Sequence, residues 1–464
     1  MLARIFRLHE SGTTVGTEVL AGATTFVTMA YIIFVQPAVL SGALTGTATG
    51  MDLGAVTAAT CLAAAFASMF MGWYARYPIA LAPGMGQNFF FVLSIIPAAA
   101  ATGHPEPWKA ALGVVFVSGV LFVLITVAGV REHVMDAMSA SMKSAVGAGI
   151  GLFIAFIGLQ NATVVLRDPG TAVRLNPDFL SPDVLLFFLG LAITGILVVR
   201  KVPGALLLGM GSTLAGALLV RPLIDAHGPA AESLLATRFA PATALVAVPP
   251  SPGPTMFAMD IGAALSWQML PLVALVLFMD VFDTMGTLVG VSQRAGLLRN
   301  GRLPRARRAF MADALGTLAG ASLGTSTVTS YIESAAGVEQ GGRSGLTAVV
   351  TGMLFLVALP FTPIIGMAGS YPPITAPALV LVGALMLRAV AEIDWEDATE
   401  GLPAFLTIVG IPFTYSIADG VALGLIAYPI LKIAAGRGRE AGVASRALAV
   451  ILVGYYLLVR SSIA

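Results

Sequence analysis

Asp280 and Asp283 fall in LVALVLFMDVFDTMGTLVG, and Glu333 falls in GTSTVTSYIESAAGVEQGG. Both strings are otherwise apolar or small-residue sequence. An ionised carboxylate in hydrocarbon costs several kcal/mol, so such residues are kept for transport, proton relay or ligand pairing. Asp280 and Asp283 are three apart and share a helix face, with the Thr284 and Thr287 hydroxyls close by. A carboxylate there can accept from a ligand N–H or take up and release a proton. It can also be a structural acid bonded to hydroxyls or backbone N–H groups. Either aspartate can face a pocket while the other braces it.

Glu333 is expected at the start of a short helix, whose dipole stabilises an anion. The plainer alternative is a capping box with Ser330 as N-cap and Glu333 three residues on. Gln87 and Asn88, in ALAPGMGQNFFF, mark the matching place earlier in the chain. A carboxamide both donates and accepts, which suits the edge of a heterocycle; for Asn88 the alternative is a bond to broken backbone. Phe89 and Phe282 are the nearest rings that could stack on a flat ligand. Gln36-Pro37 reads as a helix kink. APGMGQNF lacks the Gly-Lys-Ser/Thr ending of a phosphate loop.

The rest of the chain shows what positions these residues. Of 464 residues, 57% are hydrophobic and only 11% charged, against about 25% charged in a soluble domain; mean hydropathy is +0.91. Too few charges remain to cover a water-facing surface, so an all-α polytopic membrane protein is expected, one integral domain over 1–464. A net charge of +1 argues against a nucleic-acid partner. Cys61 stands alone, which leaves no disulfide framework and no cysteine metal site. His9, His104, His133 and His227 read as solvated or interfacial. MLARIFRLHE precedes no cleavage-type segment, and no signal peptide is read there.

A span needs roughly 20 apolar residues. Candidates are about 18–42, 54–74, 80–98, 107–129, 139–160, 181–199 and 203–222. A Pro-rich outer loop follows over about 223–265. Then come about 267–292, 309–323, 325–344, 346–366, 373–390, 401–416 and 418–435. Repeat one thus covers about 18–222 and repeat two about 267–435, and an apolar tail, 446–459, either lies in the interface or crosses. Seven spans per half make the two repeats inverted, a common transporter design. RKVPGALLLG and SIADGVALGL echo one another near the ends of the halves. Placing the N-terminus in the cytoplasm puts Arg76, Arg131, Lys143, Arg200, Lys201 and the run Arg299, Arg302, Arg305, Arg307, Arg308 inside, and leaves Lys109, Arg167, Arg174, Arg221 and Arg238 outside.

The third segment of each half is the oddest. Tyr77–Leu81 and Thr325–Thr329 suit extended structure, and each leads into a helix too short to span. Extended backbone at membrane depth must pair or line a cavity, so the two stretches are expected to pair near the midplane. Each half-helix would then aim free N–H groups at one central point.

TTFVTMAYIIFVQPAVLS, ALAPGMGQNFFF, FMDVFDTMGTLVGVSQRAGLL, ADALGTLAGASLGTSTVTSYIESAAGVEQGGRSGLT and TAPALVLVGALML together resemble the AzgA-like purine permeases, within the nucleobase/ascorbate transporter group. The likeness covers nearly the whole chain. It implies fourteen segments in two inverted repeats, with segments one to four and eight to eleven as a core domain and the others as a gate domain. It also implies proton-coupled import of adenine, guanine or hypoxanthine across the bacterial inner membrane. Its functional positions fall on Asn88, Asp280, Asp283 and Glu333. Gln87 stands where that family usually has an apolar residue, and Phe89 where a small one is common.

The expected protein is therefore a transporter rather than an enzyme, with substrate contacts from Asn88, Asp280, Asp283, Glu333, Phe89, Phe282, Thr284 and Ser330. Proton coupling falls to Asp280, Asp283 or Glu333. No cofactor is expected beyond a proton gradient; the partners are a purine, protons, lipid and a second copy through the gate domain. An anion exchanger of the same architecture, for sulfate or bicarbonate, is the first rival, and three pocket acids oppose it. A uracil/xanthine-type transporter is another. An intramembrane aspartyl protease would need acids on two helices with a Gly-x-Gly-Asp pattern, and a channel fits poorly with one occluded site.

Overall fold

The computed structural model describes residues 2–129, 139–224, 230–297, 303–454 and 456–457. Arg131, His133, His227, Arg299, Arg302 and, in the apolar tail, residues 455, 458 and 459 lie outside the described residues. Among the described residues, nine helices are long and apolar enough to cross a membrane, and further segments are shorter or broken.

Segments 1 to 7 are Val15–Leu40, Leu53–Ala75, a strand β1 (Leu81–Pro83) running into Met85–Ala101, Pro107–Ala128, Ala140–Asn161, Pro182–Val199 and Ala205–Leu223. Segments 8 to 14 are Leu270–Arg294, Ala306–Leu323, a strand (Val328–Ser330) followed by Ser334–Glu339, Gly345–Ser370, Ala376–Met386 with its 3-10 extension Leu387–Glu392, Ala398–Thr414 and Ile417–Ala434. Capping residues fix many of these starts. Asp52, Ser139, Ser181, Ser344, Asp397 and Ser416 each accept a first-turn N–H, satisfying donors that a helix start leaves open.

The two odd segments meet as expected. β1 pairs antiparallel with the strand of segment 10, with Leu81 opposite Ser330, Ala82 opposite Thr329 and Pro83 opposite Val328. Gly84 N–H to Thr327 O (3.0 Å) and Tyr331 N–H to Ala80 O (2.9 Å) extend the ladder. The extended stretches lie later than the sequence suggested: only Leu81 of Tyr77–Leu81 is strand, and the partner begins at Val328, not Thr325. Leu81 is also held from segment 2 by the Ser68 hydroxyl. It accepts from Leu81 N–H (2.8 Å) and donates to Leu81 O (2.9 Å), so segment 2 holds that residue's polar backbone.

Segments 1, 2, 4, 8, 9 and 11 pack around the paired strands as one bundle, and segments 5, 6, 7, 12, 13 and 14 pack as a second. Small residues let backbones close within each. A Cβ on Gly345 would stand 1.8 Å from the Gly72 carbonyl oxygen, and one on Gly383 2.3 Å from that of Gly151. The start of segment 11 is also held by the buried Glu18 of segment 1. Its carboxylate accepts from the N–H groups of Arg343, Ser344 and Thr347 and from the Ser344 and Thr347 hydroxyls.

One feature was not foreseen. A hairpin of β2 (Val165–Asp168) and β3 (Ala172–Leu175) joins segments 5 and 6. Asp168 closes its turn by accepting from Gly170 and Thr171 N–H. The apolar tail forms a helix, Gly442–Gly454, lying antiparallel to segment 14. Lys432 meets Glu440 at one end (3.1 Å), and the Tyr456 hydroxyl donates to Asp419 at the other (2.5 Å).

Candidate functional site

A cavity of ≈ 510 Å³ lies between the two bundles, within the range of small-molecule sites. One wall carries Gln87 of segment 3, Phe278, Phe282, Asp283 and Thr287 of segment 8, and Ile332 of segment 10; the other carries Ile150 of segment 5, Met386 and Ala389 of segment 12, and Leu425 of segment 14. Lys143, Ser144 and Glu392 line the same cavity, and the Ser144 hydroxyl donates to Glu392 (3.0 Å). A second cavity of ≈ 360 Å³ contains Thr102, Gln268, Ser416 and Asp419. Leu275 lines both cavities, so one layer of side chains separates them there.

Of the two aspartates, Asp283 is the one on the cavity. Its carboxylate is exposed to that space and accepts from Gln87 Nε2 at 3.0 Å. Asp280 turns the other way and is fully buried, accepting from the Thr317 hydroxyl at 2.9 Å. Phe282 lies between them in sequence and on the cavity. Its ring is parallel to Phe278 (centroids 6.0 Å apart, 13° between planes), and Lys143 Nζ stands 4.7 Å from its centroid.

Behind this wall, segments 8 and 9 are joined reciprocally. Thr284 donates to Asp313 (2.6 Å), and Thr317 donates to Asp280 (2.9 Å). Each helix carries the pattern Asp-x-x-x-Thr, so one turn places both members on one face of an antiparallel pair. The strand of segment 10 joins them. Ser330 donates to the other Asp313 oxygen (3.0 Å), the Thr329 hydroxyl lies 3.0 Å from that of Thr284, and Thr317 Oγ1 also lies 3.0 Å from Val328 O. Among the described residues, Asp280 Oδ1 is buried without a hydrogen-bond partner. Among the described residues, neither Asp280 nor Asp313 forms an ion pair. Two carboxylates without a cation in a dry interior are costly if both are ionised.

Glu333 is half-buried beside Ile332, and its carboxylate accepts from the Tyr31 hydroxyl at 2.7 Å. The expected capping box is absent. Ser330 belongs to the strand and its hydroxyl goes to Asp313, while Glu333 is itself the N-cap residue and its side chain caps nothing. Strand pairing pulls the chain out of helix through Ser330, so the helix starts at Ser334. The two half-helices also differ. In segment 3 the first i→i−4 bond is Asn88 N–H to Gly84 O (3.0 Å), which leaves the N–H groups of Met85, Gly86 and Gln87 ahead of it. In segment 10 the N–H groups of Ser334, Ala335 and Ala336 bond back to Tyr331, Ile332 and Glu333. That 3-10 turn uses the donors expected to point at a ligand.

Asn88 and Phe89 are fully buried and line neither cavity. Asn88 Nδ2 donates to Gln36 Oε1 (2.8 Å), and Gln36 Nε2 donates to the Thr325 and Ser326 hydroxyls (2.9 and 2.8 Å). Gln36 is thus a crosslink from segment 1 to the stretch before the second strand, more than a kink marker. The structure brings together Asp283 and Phe282 on the cavity wall and Asp280, Thr284 and Ser330 behind it; Glu333 follows Ile332 of that wall but does not itself line the cavity. Sequence reading passed over Asp313, Thr317 and Tyr31. The repeated Asp-x-x-x-Thr pattern was the available signal for the first two; Tyr31 sits in an apolar run with nothing to mark it.

A family model described as Permease family matches residues 16–423. The chain is 40% identical over 460 residues to a guanine/hypoxanthine permease of Bacillus subtilis, covering 98% of this chain and 99% of that one. It is 38% identical over 441 residues to an adenine permease of Escherichia coli, covering 95% and 92%. Among solved structures, the transmembrane domain of a cyanobacterial bicarbonate transporter superposes with a TM-score of 0.61 at 14% identity, covering 89% of this chain and 97% of that domain. At that identity the likeness concerns the inverted-repeat fold alone.

Proposed function

The chain belongs to the permease family, in its AzgA-like purine branch, and on that premise we propose that it imports purine nucleobases (adenine, guanine or hypoxanthine) with protons, by alternating access across the bacterial cell membrane. The observation that carries this reading is Asp283 on the wall of a largely apolar cavity between two bundles, with an amide beside it and an aromatic face next to it. A purine is flat and neutral, with N–H donors and ring-nitrogen acceptors on its edges. Asp283 accepts from a purine N–H, Phe282 supplies a stacking face, and the Gln87 amide and the first-turn N–H groups of Met85–Gln87 serve ring acceptors. Glu333, oriented by Tyr31, is the second carboxylate assigned to the substrate. Asn88 acts through Gln36, by holding the helix start of segment 3.

The bundle of segments 1–4 and 8–11 is assigned as the core and the bundle of segments 5–7 and 12–14 as the gate. The positive-inside rule puts Arg305, Arg307 and Arg308 in the cytoplasm. Arg307 donates to Val127 O at the end of segment 4 (2.7 Å), and segment 5 opens on the same side with Lys143 and Ser144. The main cavity therefore reaches the cytoplasm, and the thin layer at Leu275 and the Ser94–Ser416 contact (3.4 Å) close the outer side. Asp280, paired in the clasp with Asp313, is assigned the transported proton. Neutralising one of two facing acids lowers the energy of moving the loaded core. Exposed apolar side chains of segment 6, such as Leu185, Ile196 and Val199, meet lipid or, in a homodimer, a second gate.

An anion exchanger fits less well, because the carboxylate on the cavity would repel sulfate or bicarbonate. Uptake of labelled hypoxanthine into cells lacking their own purine permeases tests the assignment. Competition by purines and not by sulfate supports it; expressed protein with no purine uptake overturns it.

A further inference from the structure

We infer that Gln87 sets which purine edge the cavity accepts, by occupying one oxygen of Asp283 and so disfavouring guanine relative to hypoxanthine and adenine. This rests on the proposed purine-binding role of Asp283. Gln87 Nε2 donates to Asp283 Oδ2 at 3.0 Å. A carboxylate only accepts, so the amide nitrogen and not its oxygen faces it. The amide oxygen lies over Gly84. Gln87 Oε1 lies 2.1 Å from where a Cβ of residue 84 would be, so Gly84 gives the side chain room to fold back over the start of its own helix. Gln87 is 6% exposed, a packed group and not a free one.

The pair therefore presents a composite edge: the other carboxylate oxygen, Oδ1, as acceptor, next to the second N–H of the amide as donor. Hypoxanthine offers N1–H beside the C6 carbonyl, and adenine offers the 6-amino group beside N1. Each is one donor next to one acceptor and matches that edge. Guanine carries the same N1–H and C6 carbonyl and adds a 2-amino group on the other side of N1–H; those two parallel donors are best matched by both oxygens of one carboxylate. With Oδ2 already accepting from Gln87, the second of those donors must share an oxygen that is already hydrogen-bonded, and a poorly matched polar group in a buried site is disfavoured. Removing the amide frees Oδ2 and reverses the preference.

The test is competition against labelled hypoxanthine uptake by guanine and adenine, for wild type, Gln87→Leu and the volume-conserving Gln87→Met, with purine-induced thermal stabilisation of each purified protein read alongside. In wild type, guanine competes more weakly than hypoxanthine. In both variants the guanine-to-hypoxanthine ratio of inhibition constants falls by about tenfold, the scale of one hydrogen bond to a charged group. Wild type that binds guanine as tightly as hypoxanthine overturns the inference even if neither variant folds. So does an unchanged ratio in a variant that binds hypoxanthine. Wild type that binds no purine overturns the functional reading itself, a distinct outcome.

Discussion

The hydroxyl of Tyr31 donates to Glu333 Oε1 over 2.7 Å, joining the break in segment 1 to the half-helix start of segment 10. Segment 1 is two helices, Val15–Met29 and Ile32–Leu40, and Tyr31 sits at their junction. The carboxylate is thereby oriented from a separate element of the same bundle. Tyr31→Phe keeps the ring and removes the donor. A hydrogen bond to a charged acceptor contributes about 1.5–3 kcal/mol, so purine affinity is expected to fall by about tenfold or more at normal expression. Uptake kinetics in Tyr31→Phe check this, and an unchanged KM would detach Tyr31 from the site.

The reciprocal clasp of Asp280 with Thr317 and Asp313 with Thr284 makes a separable prediction. Asp280→Asn or Asp313→Asn retains an acceptor for its threonine and removes the ionisable group. Accumulation driven by a proton gradient should be lost in these variants, while exchange of labelled for unlabelled purine persists. Protonophore-sensitive accumulation in both would remove the proton from the clasp. Unchanged pH dependence of uptake in both Asp280→Asn and Asp283→Asn would remove it from segment 8 altogether.

Segments 2 and 11 touch through Gly72 and Gly345, where a methyl group would have to stand 1.8 Å from a carbonyl oxygen. Backbone there cannot yield as a flexible side chain would. Gly345→Ala should destabilise the core bundle by roughly 1–3 kcal/mol, the usual scale of overpacking. A lower melting temperature in detergent checks it, with Gly366→Ala, where a Cβ meets nothing within 4 Å, as the matched control.

On the Lys432 side, Asp397 is held well below the usual carboxylate range by the Thr399 hydroxyl and N–H and by Arg437. A carboxyl depressed in the folded state stabilises the protein above its unfolded pKa, about 3.9, and that contribution fades as pH falls below it. Asp397→Asn should therefore melt below wild type at pH 7, with the gap closing below about pH 4. A gap that stays constant with pH would mean the charge of Asp397 contributes nothing.

The architecture was legible because spans announce themselves by apolar length, and because Pro83, Gly84 and the threonine-rich stretch before Glu333 could not continue helices in lipid. Asp280, Asp283 and Glu333 were legible because acids are conspicuous in apolar sequence. Their separate roles were not. Residues three apart lie about 60° from one another around a helix, so spacing puts both on one face, and only packing against segment 9 shows that Asp280 turns inward while Asp283 meets the cavity. Asp313 was hidden by its own neighbourhood, since arginines 305, 307 and 308 make a nearby acid look ordinary. The capping-box reading failed at Ser330 because strand pairing, a contact from a residue 249 positions away at Leu81, outranked a local capping preference.

Proton-coupled purine binding by Asp283 and its cavity is open to direct test. The most direct measurement is uptake of labelled adenine, guanine, hypoxanthine and uracil into cells lacking their own purine permeases, with and without a protonophore, for wild type and Asp283→Ala. Saturable purine uptake that collapses with the protonophore and is lost in Asp283→Ala at normal expression is the expected result. Wild-type purine uptake retained by Asp283→Ala, or accumulation indifferent to the protonophore, would contradict it.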